Sequence, residues 1–508
     1  MAATIDEQEP AVAEQEPSVT GWRQWVTPTL GDIVFISVFS FAMMLGANLF
    51  HRDGDLGRHI RLGRSIIDDG VLPTVDIYSH TMAGGHMIPH EWLSQTAFAS
   101  VERFFGFDGI GILTAVACAL PWFILYRYMV RRGILVSIAV SLSLLGAAAS
   151  VIHWATRPHI FTWLFVVIWV VLLEDVRRGE RKQAWVLIPL MIVWANTHGA
   201  FIVGFLILGT YFVGSLLDSR AARGGIDRGA SGHFGILLVG TFAASLINPD
   251  GVATIINGFA YTREDFLLQF TREYNSPDFH NPLFWPFLAL ILLTVLLSFR
   301  WTWTTALLTV TWTAFALHSF RNIPLYALVV VPIIASAATS WVEARATAPR
   351  SSGRFREFAS VERQAIGGAV AVGVVLVASI LLARSPGSDL EFRDTYFPID
   401  ALAAVADGQT PGEHVFNEFH WGGYLEYCCH PDIPVFIDGQ TDYYGSALTE
   451  QYDATINGGT EWRAVFDEYS IDWVLIPPDV PLAQVLIEAD DWVETYRDDV
   501  AVVFVEVP

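Results

Sequence analysis

Lysine is nearly missing from this chain: of its 30 basic residues only Lys182 is a lysine. Charge as a whole is scarce, at 16% of 508 residues against 53% hydrophobic. A soluble chain of this length needs a far more charged surface, so a purely soluble globule is excluded. Cysteine is equally sparse. Cys118 lies in an apolar run and Cys428 and Cys429 are adjacent, so there is no disulfide framework and no Cys-x-x-Cys pattern for structural zinc. Neighbouring cysteines rarely bond each other, because their Cα atoms are closer than a disulfide prefers. Positive charge is depleted most in residues 385–508, where 25 Asp and Glu face three Arg. That segment carries the whole net charge of −22, and the other residues balance 27 against 27. An acidic soluble segment excludes nucleic acid as a partner. Arginine in place of lysine, beside an acidic soluble face, is the composition of a salt-adapted proteome. Residues 1–29 are acidic and contain no basic n-region, so the first apolar run is expected to act as an uncleaved anchor.

Apolar runs long enough to cross a bilayer recur along the first three quarters. Eleven spans are expected, near 30–50, 108–127, 134–152, 159–175, 183–195, 199–217, 233–247, 283–299, 302–318, 322–341 and 365–384. Arginines cluster after the second, fourth, sixth, eighth and tenth, which places those loops and the N-terminus in the cytoplasm. The opposite side of the plasma membrane then receives loop 51–107, loop 248–282 and the C-terminal segment. Thirteen of fourteen histidines fall at that outer face, His233 being the exception. The expected organisation is a cytoplasmic tail (1–29), a transmembrane domain (30–384) and an external soluble domain (385–508). The fold class is mostly α: a polytopic helical bundle with a small external α/β domain.

Loop 51–107 reads as two amphipathic helices, 55–69 and 91–106, lying in the membrane interface and joined by a turn-rich stretch. The fifth span is short, so the apex Asn196-Thr197-His198-Gly199 is expected below the outer surface, where polar backbone needs protein or a wet cavity around it. The C-terminal domain alternates helix 399–406, strand 414–417, a short helix near Tyr424, strand 434–438, helix 461–469, strand 472–477, helix 481–489 and the strand pair 492–497 and 500–506.

The chemistry-bearing residues lie at the outer ends of spans. Asp53-Gly54-Asp55 directly follows the first span. Two carboxylates one residue apart can share a divalent cation, Mg or Mn, or one can act as a base while the other orients it. The alternative is structural, with Asp53 capping the next helix and Asp55 in its first turn. Arg157, His198, Glu273 and Arg321 end other spans, and arginine pairs naturally with a lipid phosphate. Their alternatives are snorkelling for the arginines and a hydrogen-bonded apex for His198. His59 and Glu91 join this set, and Glu91 and Asp76 are either metal ligands or helix caps, capping being the fitter role for Asp76. In the last domain Asn417-Glu418-Phe419-His420-Trp421-Gly422-Gly423-Tyr424 and Phe436-Ile437-Asp438-Gly439 stand out, the former read as a turn with a buried Trp.

The position of the Asp-x-Asp pair after the first span resembles the GT-C superfamily of membrane glycosyltransferases. Asp53-Gly54-Asp55-Leu56-Gly57-Arg58-His59, Pro73-Thr74-Val75-Asp76 and His90-Glu91-Trp92-Leu93 are similar to segments of a prokaryotic group of such membrane proteins. So are Arg157-Pro158-His159, Trp194 to Gly199, Asn248-Pro249-Asp250-Gly251, Ser276-Pro277-Asp278 and Arg321-Asn322-Ile323-Pro324. The aromatic pair usual before the first His is here Gly57-Arg58. The resemblance implies a sugar transferred from a polyprenyl-phosphate-linked donor in the bilayer to an external glycan, lipid or protein. Asp53 and Asp55 would be catalytic, and Arg157, His198, Glu273, Arg321, His59 and Glu91 would bind donor phosphate or substrate. Two other readings stand beside it: a non-catalytic envelope protein that binds polyprenyl lipids or glycans, and a transporter. Few charges lie deep in the spans and no inverted repeat is visible, which disfavours the transporter.

Overall fold

A computed structural model describes residues 20–51, 54–87, 89–222, 228–297, 301–345, 353–382, 390–408 and 411–507. Asp53 therefore lies outside the described residues. The chain is predominantly helical, and every apolar run named above coincides with a helix. Among the described residues five helices are long and apolar enough to cross a membrane: Trp92–Arg131, Val136–His153, His159–Arg177, Gly199–Ala221 and Phe320–Ala344. A bent pair, Phe358–Gln364 with Ala369–Leu382, would make a sixth, and Leu30–Leu45 and Pro282–Leu296 are apolar but shorter. The chain is a multi-pass membrane protein.

The first long helix shows how sequence sets these elements. Leu30–Leu45 opens on a capping box in which the Asp32 amide donates to the Thr29 hydroxyl and the Thr29 amide to the Asp32 carboxylate at 2.8 Å. Two orphan donors of the first turn are thereby satisfied. The helix stops at Gly46, which has a φ of 54° that a residue with a side chain resists.

Loop 51–107 holds the expected helix at Asp55–Asp69. The second expected helix does not end before the next span. It runs on as Trp92–Arg131, broken only at Gly106, where φ is 62°. Phe104 and Phe105 beside that break are largely exposed. Helix Asp55–Asp69 packs against Trp92–Arg131 on one side and the C-terminal helix Gly422–Cys429 on the other, so its first half is buried in protein.

The C-terminal region contains a four-stranded sheet of β1 (Val415–Asn417), β2 (Trp473–Ile476), β3 (Trp492–Arg497) and β4 (Val502–Glu506), in the order β1-β2-β4-β3. β1 and β2 are parallel and the other pairs antiparallel. Two expectations fail here. Residues 434–438 are not a strand of this sheet, because their backbone is engaged elsewhere. Val435 exchanges hydrogen bonds of 3.0 Å with Tyr78 and His80 of the first loop, and the carboxamide of Asn417 receives the Phe436 amide at 2.8 Å and donates to the Ile437 carbonyl at 2.9 Å. Cys428 and Cys429 are bonded to each other, against the expectation from their spacing. An unexpected helix, Thr441–Ile456, follows the 434–438 segment.

The sheet's buried Val415, Trp473 and Val503 belong to the same apolar cluster as Val34, Phe98, Trp122 and Tyr326 of the bundle. A second cluster around Phe416, Phe436, Phe466 and Trp492 fills the other face of the sheet.

Candidate active site

Helix Asp55–Asp69 begins at Gly54 with no side-chain cap. Asp55 thus stands in the first turn, where the helix dipole favours a carboxylate. Two glycines make its surroundings possible. A side chain on Gly57 would collide with the Gly423 carbonyl, and one on Gly439 with the Asp55 carboxylate itself. The two segments that stood out in the C-terminal sequence are therefore laid directly on the start of this helix.

Asp55 is almost wholly buried and its Oδ2 is 2.7 Å from Arg157 and 3.9 Å from Arg58. Burial raises its pKa to about 6, against the pull of Arg58. Arg157 is held by the turn before helix His159–Arg177, and burial lowers its pKa while Glu273 opposes the shift. Glu273 receives Arg321 at 3.1 Å and lies 3.5 Å from His153. Burial alone would raise the Glu273 pKa, but Arg321, His153 and Arg157 outweigh it and hold it at about 2. The Arg321 guanidinium also lies over the Tyr274 ring, 4.5 Å from its centre. Asp55, Arg157, Glu273 and Arg321 thus form one alternating chain of charge.

A second group centres on Glu91, with His198 at 3.7 Å and His59 and His90 at 3.9 Å. Burial raises the Glu91 carboxyl and pushes His59 and His198 well below the usual imidazole range. The apex 196–199 is fixed by its own polar groups. Asn196 accepts from the Trp92 indole at 2.7 Å and donates to the Ile247 carbonyl at 2.7 Å, while His198 shares a hydrogen bond of 2.9 Å with Thr162. The polar side chains of the apex thus find partners within the protein. Asp76 holds a turn, accepting from the Tyr78 amide at 2.8 Å and the Ser79 hydroxyl at 2.5 Å. Among the described residues no three His, Cys, Asp or Glu side chains are placed to hold a metal ion.

Several residues of the site were not found from sequence. Arg58, Gln440, Asp438 and Glu426 form a buried polar group behind Asp55. Arg58 donates to Gln440 at 3.0 Å and is 3.7 Å from Asp438. Asp438 accepts from the Tyr444 hydroxyl at 2.9 Å. Burial and the neighbouring Asp438 charge push the Glu426 carboxyl well above its usual range. The signal that pointed here was the Gly57-Arg58 pair standing where aromatics are usual. His420 is exposed, and Glu418, 3.0 Å away, raises its pKa against the effect of desolvation. Glu418, His420, Trp421, Tyr396 and Gly54 help line a cleft of about 470 Å³ that opens beside the start of the helix.

No protein-family model matches this chain, and no curated protein is significantly similar to it in sequence. Solved structures do share its fold. The oligosaccharyltransferase AglB from Archaeoglobus fulgidus, in complex with an inhibitory peptide and a dolichol-phosphate, aligns with a TM-score of 0.54 at 12% identity, over 88% of this chain and 69% of that one. The Archaeoglobus fulgidus enzyme tethered to an acceptor peptide containing the NVT sequon gives 0.54 at 13% identity, over 87% and 68%. ArnT from Cupriavidus metallidurans bound to undecaprenyl phosphate gives 0.48 at 16% identity, over 93% and 97%. The chain shares its overall fold with the Archaeoglobus fulgidus oligosaccharyltransferase structures.

Proposed function

We propose that this protein is a membrane glycosyltransferase that moves a sugar from a polyprenyl-phosphate-linked donor to a hydroxyl or amide acceptor on the outer side of the plasma membrane. The observation that carries the reading is buried Asp55 paired with half-buried Arg157, 2.7 Å apart, where the first loop leaves the bundle in a fold shared with an oligosaccharyltransferase. AglB is described with a dolichol-phosphate and with an inhibitory peptide, which supports a lipid donor. An Asp53 carboxylate turned into lipid-facing packing would favour the non-catalytic binder instead.

In this reading Asp53 takes the proton from the acceptor as its nucleophilic atom attacks the anomeric carbon. The bond from that carbon to the phosphate oxygen breaks on the opposite face, so the configuration inverts. The lipid phosphate leaves with the electron pair, and Arg157 and Arg321 stabilise its charge. Asp55 holds Arg157 in place, and Glu273 holds Arg321. His59, Glu91 and His198 shape the adjoining wall against the substrate. A divalent cation, Mg or Mn, held by Asp53 and Asp55 would add to the stabilisation of the leaving phosphate. The N-terminus lies in the cytoplasm and the acidic domain outside.

The test compares cells lacking the protein, rescued by wild type or by Asp53→Ala/Asp55→Ala at matched membrane levels. Truncated envelope glycans with accumulated donor lipid in the double variant support the transferase. Full rescue overturns it and leaves the pair structural.

A further inference from the structure

The C-terminal domain reaches further into this site than its place at the end of the chain requires. Gly57 and Gly423 meet backbone to backbone, Gly439 abuts the Asp55 carboxylate, and Arg58 extends from the catalytic helix into the domain. There it meets Gln440 at 3.0 Å and Asp438 at 3.7 Å, while its other end lies 3.9 Å from Asp55. Arg58 and Asp438 are each more than nine-tenths buried. Asp438 is fixed in turn by the Tyr444 hydroxyl at 2.9 Å and the Gln440 amide at 2.6 Å.

Such a build is costly unless geometry matters. A buried guanidinium must be matched by carboxylates, and a packed apolar side chain would hold two elements together at least as well. The matched carboxylates come from two different parts of the chain, Asp55 from the first loop and Asp438 from the last domain. The cation thus ties the orientation of one to the other. Asp55 Oδ2 lies 2.7 Å from Arg157 and 3.9 Å from Arg58, so both guanidinium groups bear on the one oxygen.

We infer that Asp438 and Arg58 are positioning residues for Asp55, so that the docked C-terminal domain is a working part of the active site. This rests on the transferase reading above. Asp438 touches no substrate; it holds Arg58, Arg58 holds Asp55, and Asp55 holds the phosphate-binding Arg157.

The experiment uses the full-length protein purified in detergent and added to membranes from cells lacking it, which supply both donor lipid and acceptor. Transfer is followed for wild type, Asp55→Asn, Arg58→Gln, Asp438→Asn, the Arg58→Gln/Asp438→Asn double variant and Arg58→Lys. Misplacing a reacting group by an ångström costs about 100-fold, so each single variant is expected to lower kcat roughly 10- to 100-fold with KM for the donor lipid within about threefold. The double variant is expected to be no slower than the slower single one, since both break one linkage. Arg58→Lys is expected to recover part of the rate. A merely structural role would instead lower the melting temperature and leave kcat of the folded fraction unchanged. Wild-type kcat in Asp438→Asn, or losses that multiply in the double variant, overturns the inference. If Asp438→Asn does not fold, Gln440→Ala removes only one bond to Arg58. It is then expected to be about three- to tenfold slower, and a wild-type rate overturns the inference. The control separates the two levels: an inactive Asp55→Asn beside a fully active Asp438→Asn sinks this inference alone, whereas a fully active Asp55→Asn sinks the transferase site itself.

Discussion

Arg157 is the residue on which the charges of the site turn, since it bonds Asp55 and feels Glu273 and Arg321. Arg157→Lys keeps a charge but loses the planar fork, so transfer is expected to fall about 10- to 100-fold while the protein still inserts and folds. Initial rates at matched protein level check this. Two carboxylates then predict two different pH responses. The Asp55 carboxylate forms only above about 6, so if its charged form holds Arg157 the rate falls as pH drops through about 6. A pH–rate limb at the ordinary value of 3.8 would contradict this. Glu273 is shifted the other way. Its folded pKa is depressed from 4.5 to about 2, so its stabilisation is complete above 4.5 and is lost as pH falls toward 2. Glu273→Gln is expected to flatten that acid limb in melting curves recorded from pH 5 down to pH 2.

At the scale of elements, the helix Asp55–Asp69 was legible because Leu56, Ile60 and Leu62 recur at helical spacing and are buried. What they would be buried against was not legible. An amphipathic helix after a span reads as interfacial, and nothing local announces a domain more than 300 residues downstream. The segment 434–438 misled for a related reason. Its apolar residues and Pro boundary suit a strand, but its hydrogen-bond partners lie in the first loop and in the Asn417 side chain. By contrast Arg157, His198 and Arg321 could be gathered from sequence, because each stands in the turn at the end of an apolar helix, whereas Asp55 opens an amphipathic helix and Glu273 lies in the short helix Arg272–Tyr274 of loop 248–282. Arg58 hid as an oddity of motif, with its partners Asp438 and Gln440 some 380 positions away. Gly57 offers the test at this scale. Gly57→Ala must push the Gly423 backbone aside, so the C-terminal domain is expected to loosen, by about 1–3 kcal/mol for an overpacked contact. Faster proteolysis of the domain in intact vesicles, with the bundle still protected, is the readout.

For the whole molecule, charge is segregated: residues 1–384 balance, and the terminal segment carries a net −22. An acidic domain suits the outer side, and basic loops the inner. Single cysteines introduced on the exposed residues Glu450 and Arg178, in a chain lacking the native cysteines, are expected to label with a membrane-impermeant reagent only at position 450 in intact cells. Labelling at position 178 alone would invert the proposed topology.

The bridge between Tyr78–His80 and Val435 also bears on how the protein is made. Thr81 of the same loop donates to the Phe436 carbonyl across 355 positions of chain. The loop leaves the ribosome early and its partner among the last, so these backbone groups stay unmatched through most of synthesis. The terminal domain cannot close until the bundle has delivered the loop to it. Biogenesis then has a built-in checkpoint: a chain whose bundle is misassembled is expected to leave its terminal domain unsealed as well, and open to quality-control proteases there.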